Sequence, residues 1–156
     1  MTERDMELYK KEILYRKANG KKIHNDYLRK IASLLPLKDQ WETLSLEETD
    51  AILNRFRDAS ARLLQRKRQI SLQEIHLVIA GIKQVGGPFY ILIDEDWKYC
   101  GMLISNGVFN INSLFYFDEK ILNDVIFISS DMSMAVSLDF FEVNGKSLID
   151  VTEWQA

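Results

Sequence analysis

Residues 71–93, SLQEIHLVIAGIKQVGGPFYILI, contain the change of pattern that decides the predicted fold. Ser71 and Glu74 have the spacing of a capping box, and apolar residues then recur every three or four positions, as on one face of a helix. Residues 86–88, Gly-Gly-Pro, must end that helix, because glycine favours non-helical turns and proline disfavours helical backbone in the residue before it. Phe89–Ile93 is mostly aromatic or β-branched, which is typical of a strand.

Upstream of this change the same kind of pattern predicts three more helices. The first is expected at residues 3–18 and ends at the Asn-Gly pair 19–20. The second is shorter and ends before Pro36, since proline cannot continue a helix. The third begins at another capping box, SLEE at residues 45–48.

Downstream of residue 88 the pattern becomes extended. The predicted strands are 89–93, 98–104, 114–117, 125–129, 134–142 and 148–154. Residues 94–97 are expected at the tip of a hairpin between the first two strands. Asn106-Gly107 predicts a tight turn, and Asn144-Gly145 predicts the hairpin that joins the last two strands. No intervening run is long enough for a helical crossover, so the sheet should be mainly antiparallel.

These elements predict one α+β domain over residues 1–156. About four helices in residues 1–85 would form one layer, and five to six strands in residues 86–156 would form the other. The expected core sets helix residues against inward-facing strand residues: Phe56, Leu63, Ile75 and Ile79 against Met134, Val136, Leu138 and Phe140. The alternating positions Ser137, Asp139 and Phe141 are then expected on the opposite face of the sheet.

Charge is distributed unevenly between the two halves. Residues 1–85 hold 17 Lys and Arg against 12 Asp and Glu, whereas residues 86–156 hold 3 against 11 and also contain 12 of the 17 aromatic residues. Such asymmetry carries information about partners. A single cysteine, Cys100, cannot form an internal disulfide, and no apolar run approaches the roughly 20 residues of a membrane span. We therefore expect a cytoplasmic protein without a membrane segment.

The chemically reactive residues do not form a recognisable catalytic or metal motif. His24 and His76 lack ligand partners at zinc-site spacing, and Cys100 is expected to be a buried structural thiol. Residues 94–96 lack the glycine and closing glutamate of a calcium loop. Because the common nucleotide-binding and hydrolase motifs are absent as well, the sequence predicts no metal, no cofactor and no enzymatic activity.

Carboxylates beside large aromatic residues in the second half instead predict a surface for a cationic protein, since aromatic anchors supply binding energy and charges steer encounter. The candidate partner-binding residues are Asp94, Glu95, Asp96, Trp97, Tyr99, Asp118, Glu119, Asp131, Asp139, Phe141 and Glu142. Reversing residues 94–96 to lysine should slow association at low salt and leave the fold intact.

A basic run near the end of the third helix offers an alternative. Its residues are Arg62, Arg66, Lys67 and Arg68, with Arg55 and Arg57 nearby. They could contact phosphate, which would make the chain a nucleic-acid-binding or regulatory protein. Favourable placement of cations at a helix C-terminus also accounts for the run, and the acidic second half disfavours a polyanion.

The tail, FISSDMSMAVSLDFFEVNGK at 127–146 followed by IDVTEW at 149–154, resembles bacterial immunity proteins of polymorphic and contact-dependent toxin systems. The resemblance lies in a hairpin with outward-facing acidic residues. It implies stoichiometric binding of a cognate toxin, with a basic nuclease as the complementary partner. A carboxylate-dependent hydrolase is a third hypothesis, which requires two acidic residues to converge in a pocket.

Overall fold

A computed structural model describes residues 2–106, 111 and 122–156 of the chain. The helices are α1 (Glu3–Leu34), α2 (Leu46–Ser60), α3 (Ile75–Val85) and the single turn α4 (Trp97–Cys100). The strands are β1 (Trp41–Thr43), β2 (Leu64–Ser71), β3 (Phe89–Ile93), β4 (Leu103–Ser105), β5 (Asp124–Ser129), β6 (Met134–Val143) and β7 (Lys146–Gln155). The fold is α+β, as predicted.

Helix α1 is continuous, so the prediction of two helices separated at residues 19–20 is wrong. Gly20 lies inside the helix at the point where α1 meets α4. A β-carbon at Gly20 would lie 2.4 Å from the Tyr99 carbonyl oxygen. Glycine is needed here for close approach of two backbones, and a helix tolerates it when packing repays its entropic cost. Asn19 remains helical, and its side-chain amide donates to the Tyr15 carbonyl.

Both predicted capping boxes are confirmed. The Ser45 hydroxyl accepts a hydrogen bond from the Glu48 amide, and the Glu48 carboxylate accepts one from the Ser45 amide. Ser71 and Glu74 form the second box. It begins a short 3-10 turn that leads directly into α3, which ends at Gly86 with a φ of 67°.

Strand β2 replaces the predicted end of the third helix. Helix α2 stops at Ser60, and the basic run Arg66–Arg68 lies in β2, so its predicted position on a helix is wrong. All eight residues of β2 pair with β7 in antiparallel register. That ladder supplies backbone hydrogen bonds that local sequence preference does not reveal.

The sheet order is β1-β4-β3-β5-β6-β7-β2, and every neighbouring pair is antiparallel. Seven strands are present among the described residues, where the sequence predicted five to six. The two additional strands, β1 and β2, come from residues 1–85 and stand at the two ends of the described strand order, so that segment is not purely helical. That the chain is a single domain stays a prediction.

The two faces of the sheet carry separate apolar clusters. On the first face, α1 and α3 cover the inward residues of the central strands, such as Val136 and Leu138. Ile75 and Ile79 of α3 pack against these strand residues, as predicted. On the second face, α2 covers the alternate residues, such as Ala135. The arrangement is therefore helix–sheet–helix rather than two layers. Phe56 packs on the second face against Trp154, with ring centroids 5.7 Å apart, so its predicted place in the first-face core is wrong.

The connection between β3 and β4 is longer than a hairpin turn. Residues 98–104 were predicted as one strand, but residues 97–100 form α4 and only Leu103–Ser105 is extended. β3 and β4 still pair antiparallel. Asn144-Gly145 forms the predicted tight turn, with φ values of 51° and 78°.

The predicted strand at residues 114–117 and residue Gly107 of the predicted turn lie outside the described residues. Within the described part of the chain, no helix combines the length and the apolarity needed to cross a membrane.

Helix α1 is tied to α2 and α4 by a buried arginine. The Arg16 guanidinium pairs with both carboxylate oxygens of Asp50, at 2.7 and 3.0 Å, and its Nε donates to the Lys98 carbonyl at 2.6 Å. The Tyr9 hydroxyl donates to the same carboxylate at 2.6 Å. Burial and the hydrogen bond to Asp50 raise the pKa of Tyr9 to about 12, so its hydroxyl stays protonated and able to donate over the physiological range.

Replacing Gly20 by alanine should destabilise the protein, because the new methyl group meets backbone rather than a movable side chain. We expect a loss of about 1–3 kcal/mol in the free energy of unfolding, the range for overpacking. The matched control is Gly81→Ala in α3, where a β-carbon meets nothing within 4 Å; it should stabilise by about 0.5–1 kcal/mol. Urea unfolding measures both, and equal effects would contradict the close-approach role of Gly20.

Candidate partner-binding surface

Asp94 and Asp96 are used inside the protein. The Lys30 ammonium of α1 lies 2.7 Å from one oxygen of Asp94 and 3.2 Å from one of Asp96, and the two carboxylates are only 11% and 14% exposed. The other Asp94 oxygen accepts hydrogen bonds from the amides of Asn123 and Asp124. Lys30 therefore engages both of these predicted binding residues in internal ion pairs, which leaves little of either carboxylate accessible to a partner.

The electrostatics of this cluster follow from its burial. Burial raises the pKa of the Asp96 carboxyl, and attraction to Lys30 only partly opposes the rise. The two carboxylates more than offset burial at Lys30 and raise the pKa of its ammonium. Reversing residues 94–96 would place positive charge beside Lys30. Contrary to the expectation from sequence, we therefore expect this change to destabilise the fold.

The aromatic residues of α4 are half-buried. Trp97 packs in the second-face cluster, and the Lys98 ammonium lies 5.7 Å from its ring centroid. Tyr99 and the exposed Tyr15 line a shallow cavity of about 360 Å³ between α1, α2 and α4. Glu95 is exposed and pairs with Lys98 at 3.3 Å. These residues present a mixed-charge, partly apolar patch.

Of the remaining predicted binding residues, Asp131 has a structural role in a turn, and two lie outside the described part of the chain. Asp131 is exposed but organises the turn before β6, where its carboxylate accepts bonds from the Ser129 and Ser133 hydroxyls. Those hydrogen bonds lower its pKa. Asp118 and Glu119 lie outside the described residues.

Asp139 belongs to a row of three aspartates that the register creates. Asp124 of β5 pairs directly with Asp139 of β6, which pairs directly with Asp150 of β7. Directly paired residues project from the same face, so all three lie on the second face. We call Asp124, Asp139 and Asp150 the acidic row. Helix α2 does not cover it, and Asp139 and Asp150 are exposed.

The acidic row lacks neutralising cations within the described residues. No lysine or arginine there forms an ion pair with any of its three carboxylates, and the Gln69 amide donates a hydrogen bond to Asp150 at 3.3 Å. One oxygen of Asp124 is buried without a hydrogen-bond partner in the described part of the chain. Burial, and then the facing Asp139, raise the pKa of Asp124 to about 7.

Polar residues line a cavity beside the acidic row, and a pair of apolar residues borders the row on the side of the β6–β7 turn. A shallow cavity of about 390 Å³ is lined by Lys67, Ser137, Asp139, Asp150 and Thr152, among others. Phe141 pairs with Leu148 on the same face, one step further toward the β6–β7 turn, and both are half-buried. Glu142 is exposed, but strand alternation places it on the first face, so it does not join the acidic row.

This geometry suits the binding of cations better than acid–base catalysis. Two close carboxyl groups, one with a raised pKa, could exchange a proton. Efficient chemistry also needs a site that excludes water, and the acidic row lies on an open sheet face. An open row of like charges is instead complementary to a surface rich in lysine and arginine.

Other reactive side chains are not assembled around this surface. Among the described residues, no group of three or more His, Cys, Asp or Glu is arranged to hold a metal ion. Cys100 is half-buried at the end of α4 rather than in a strand, and its thiol donates weakly to the Gly20 carbonyl. Burial raises its pKa, which makes the thiol a poorer nucleophile.

Sequence reasoning missed Asp124, Asp150 and Lys30. Asp150 stands in a predicted strand and Asp124 directly precedes one, but their alignment with Asp139 depends on the register of three strands. Lys30 is 64 residues away from Asp94 along the chain, and one lysine of a lysine-rich helix carries no local signal. Comparisons with protein-family models, curated proteins and solved structures found no match to this chain.

Removing the Lys30 charge tests the internal role of Asp94 and Asp96. Lys30→Met leaves two poorly exposed carboxylates without their cation, so we expect a loss of about 1–3 kcal/mol in the free energy of unfolding. Arg29→Met is the control, since its ion pair with Asp26 is exposed and should contribute less than about 1 kcal/mol. Urea denaturation compares the two, and a neutral Lys30→Met would return these carboxylates to the binding surface.

The acidic row predicts that stability falls as pH rises from about 4 to about 7. The folded pKa of Asp124, about 7, exceeds its ordinary value of 3.8. The native state therefore binds more protons than the unfolded state in this window, and ionisation weakens it. Asp139→Asn should flatten this pH dependence and stabilise the protein at pH 8 by about 0.2–1 kcal/mol.

Chemical denaturation at several pH values measures the effect. Glu142→Gln is the matched control, because Glu142 is exposed on β6 outside the acidic row. A pH profile that Asp139→Asn leaves unchanged would show that the two carboxyls do not interact.

Proposed function

We propose that this chain is a non-catalytic binding protein that neutralises a basic protein toxin, in the manner of an immunity protein. It binds its partner in a one-to-one complex through the second face of the sheet. The acidic row supplies the charge, and Phe141 and the α4 patch with Glu95 and Trp97 extend the surface at its margins. The toxin is blocked by occlusion, and the complex forms in the cytoplasm.

The observation that carries this proposal is the unneutralised acidic row. Like charges that face each other across paired strands destabilise a sheet. This repulsion between carboxylates destabilises the free protein, and a cationic partner that pairs with the carboxylates relieves the repulsion. Repulsion that destabilises the free protein and is relieved in a complex is typical of a surface that serves binding rather than stability.

The chemistry of the partner follows from the same surface. Three carboxylates on adjacent strands, with an aromatic residue at the margin, fit a protein that presents several lysine or arginine side chains. Such charges raise the rate of encounter and make it sensitive to salt. Nuclease domains have this complementary charge because they bind a polyanion. Covering their basic surface would exclude the nucleic acid.

The test uses the protein encoded next to this chain in its native genome, because an immunity protein is expected beside its toxin. Co-expression should restore growth to cells that produce that protein. In vitro, the purified pair should form a one-to-one complex whose association rate falls steeply between low and high salt.

The double variant Asp139→Asn/Asp150→Asn separates binding from folding. It should be more stable than the original chain, because the like-charge pair is removed, yet associate about tenfold more slowly at low salt. Glu7→Gln/Glu42→Gln is the control, which removes the same amount of charge from exposed residues on α1 and on the opposite sheet edge. Binding that depends equally on both pairs would reflect net charge alone, and binding that depends on neither would exclude the second face.

A further inference from the structure

The outer edge of β2 is a second surface, which adjoins the acidic row but presents backbone groups and basic side chains. Among the strands that the structure describes, β2 is the last in the sheet order, and β7 pairs with one of its edges along all eight residues. Residues 64–69 are all exposed, with Leu64 77% accessible. Alternate residues of an edge strand direct their amide and carbonyl groups away from the sheet, where they can pair with an added strand.

A groove runs beside this edge on the first face. Its floor includes Arg68 of β2 and Glu153 of β7, its wall is α3, and its volume is about 150 Å³. Leu77, Gly81 and Val85 of α3 line it at successive helical turns. Leu77 and Val85 are 63% and 53% exposed, and a β-carbon at Gly81 would meet nothing within 4 Å. We call this feature the α3 groove.

Charge identifies the kind of segment that fits the edge. Arg68 is paired with Glu153 at 3.0 Å, whereas Arg66 and Lys67 form no ion pair within the described residues. Consecutive strand residues point to opposite faces, so Arg66 lies on the side of the α3 groove and Lys67 on the second face. A strand added outside β2 would place its own neighbouring residues opposite these two cations.

A second copy of this chain is a poor occupant of the edge. Pairing two β2 strands would bring their basic runs together, and like charges on paired strands are destabilising. An acidic segment has the opposite effect. Nucleic acid would satisfy the same cations but has no backbone that can extend the strand ladder.

We propose that an extended segment of a partner protein, with two adjacent carboxylate residues flanked by apolar β-branched residues, adds to the sheet as a strand along β2. Backbone hydrogen bonds with β2 supply affinity, as in other cases of strand addition to a sheet edge. The carboxylates pair with Arg66 and Lys67. An apolar side chain on the groove side contacts Leu77 and Val85 of the α3 groove.

The probe is an end-blocked synthetic peptide with two central glutamates, flanked on each side by alternating valine and threonine. It should bind the intact protein and slow hydrogen exchange of β2 backbone amides. Glutamine in place of both glutamates should weaken binding at least tenfold at low salt. Proline at two flanking positions should do the same, because proline cannot donate a ladder hydrogen bond.

Protein variants test the two components of the site separately. Arg66→Glu/Lys67→Glu should weaken peptide binding at least tenfold, whereas the control Lys21→Glu/Lys22→Glu changes the same charge on two exposed residues of α1 and should leave it unchanged. Gly81→Leu should fill the α3 groove and weaken binding while the protein keeps its thermal stability, because the site is open and helical.

Several outcomes would overturn the proposal. They are failure of the peptide to bind, equal binding of the proline-containing peptide, unchanged binding by Arg66→Glu/Lys67→Glu, and binding of a short DNA duplex where the peptide does not bind. None of them decides whether the acidic row binds a partner, because the acidic-row variants change no residue of β2 and are tested against a different ligand.

Discussion

Helix α1 lies so close to α4 at Gly20 that no side chain fits between the helix and the Tyr99 carbonyl. Contacts on both sides of this point hold the segment between β3 and β4 in place. Arg16 binds the Lys98 carbonyl on one side of Gly20. On the other side, the Tyr27 hydroxyl donates to the Gly101 carbonyl at 2.6 Å, and Lys30 follows one turn later. Because these groups follow one another along a single rigid helix, they position residues 94–101 as a unit.

This packing divides the acidic residues of the second half into two classes. Asp94 and Asp96 are held by Lys30 and stabilise the connection between β3 and β4. The acidic row lies on the uncovered part of the second face, where no described basic side chain pairs with it. The difference follows from position, since α1 reaches the end of β3 on the first face and α2 stops short of the row on the second. A carboxylate in the second half of the chain is therefore structural where a helix packs over it, and exposed for binding where no described helix covers it.

The two proposed surfaces also differ in the physical basis of recognition. The acidic row presents side chains from three adjacent strands, so charge complementarity and salt dependence dominate. The β2 edge presents backbone groups, which select for an extended conformation before they select for sequence. Basic β2 is the direct neighbour of β7, which carries Asp150 of the acidic row. The charge asymmetry noted between the halves of the chain therefore persists within one sheet.

Local sequence determined the elements whose cause is local. The two capping boxes, the end of α3 at Gly86 and the Asn144-Gly145 turn depend on residues within a few positions of one another, and all were predicted. The α+β class followed from the change of pattern near residue 88. Only the tertiary structure decided that α1 continues through Gly20 and that the basic run enters a strand, because each depends on a partner far away along the chain. The acidic row has the same origin: a shift of one residue in register would move Asp139 to the other face.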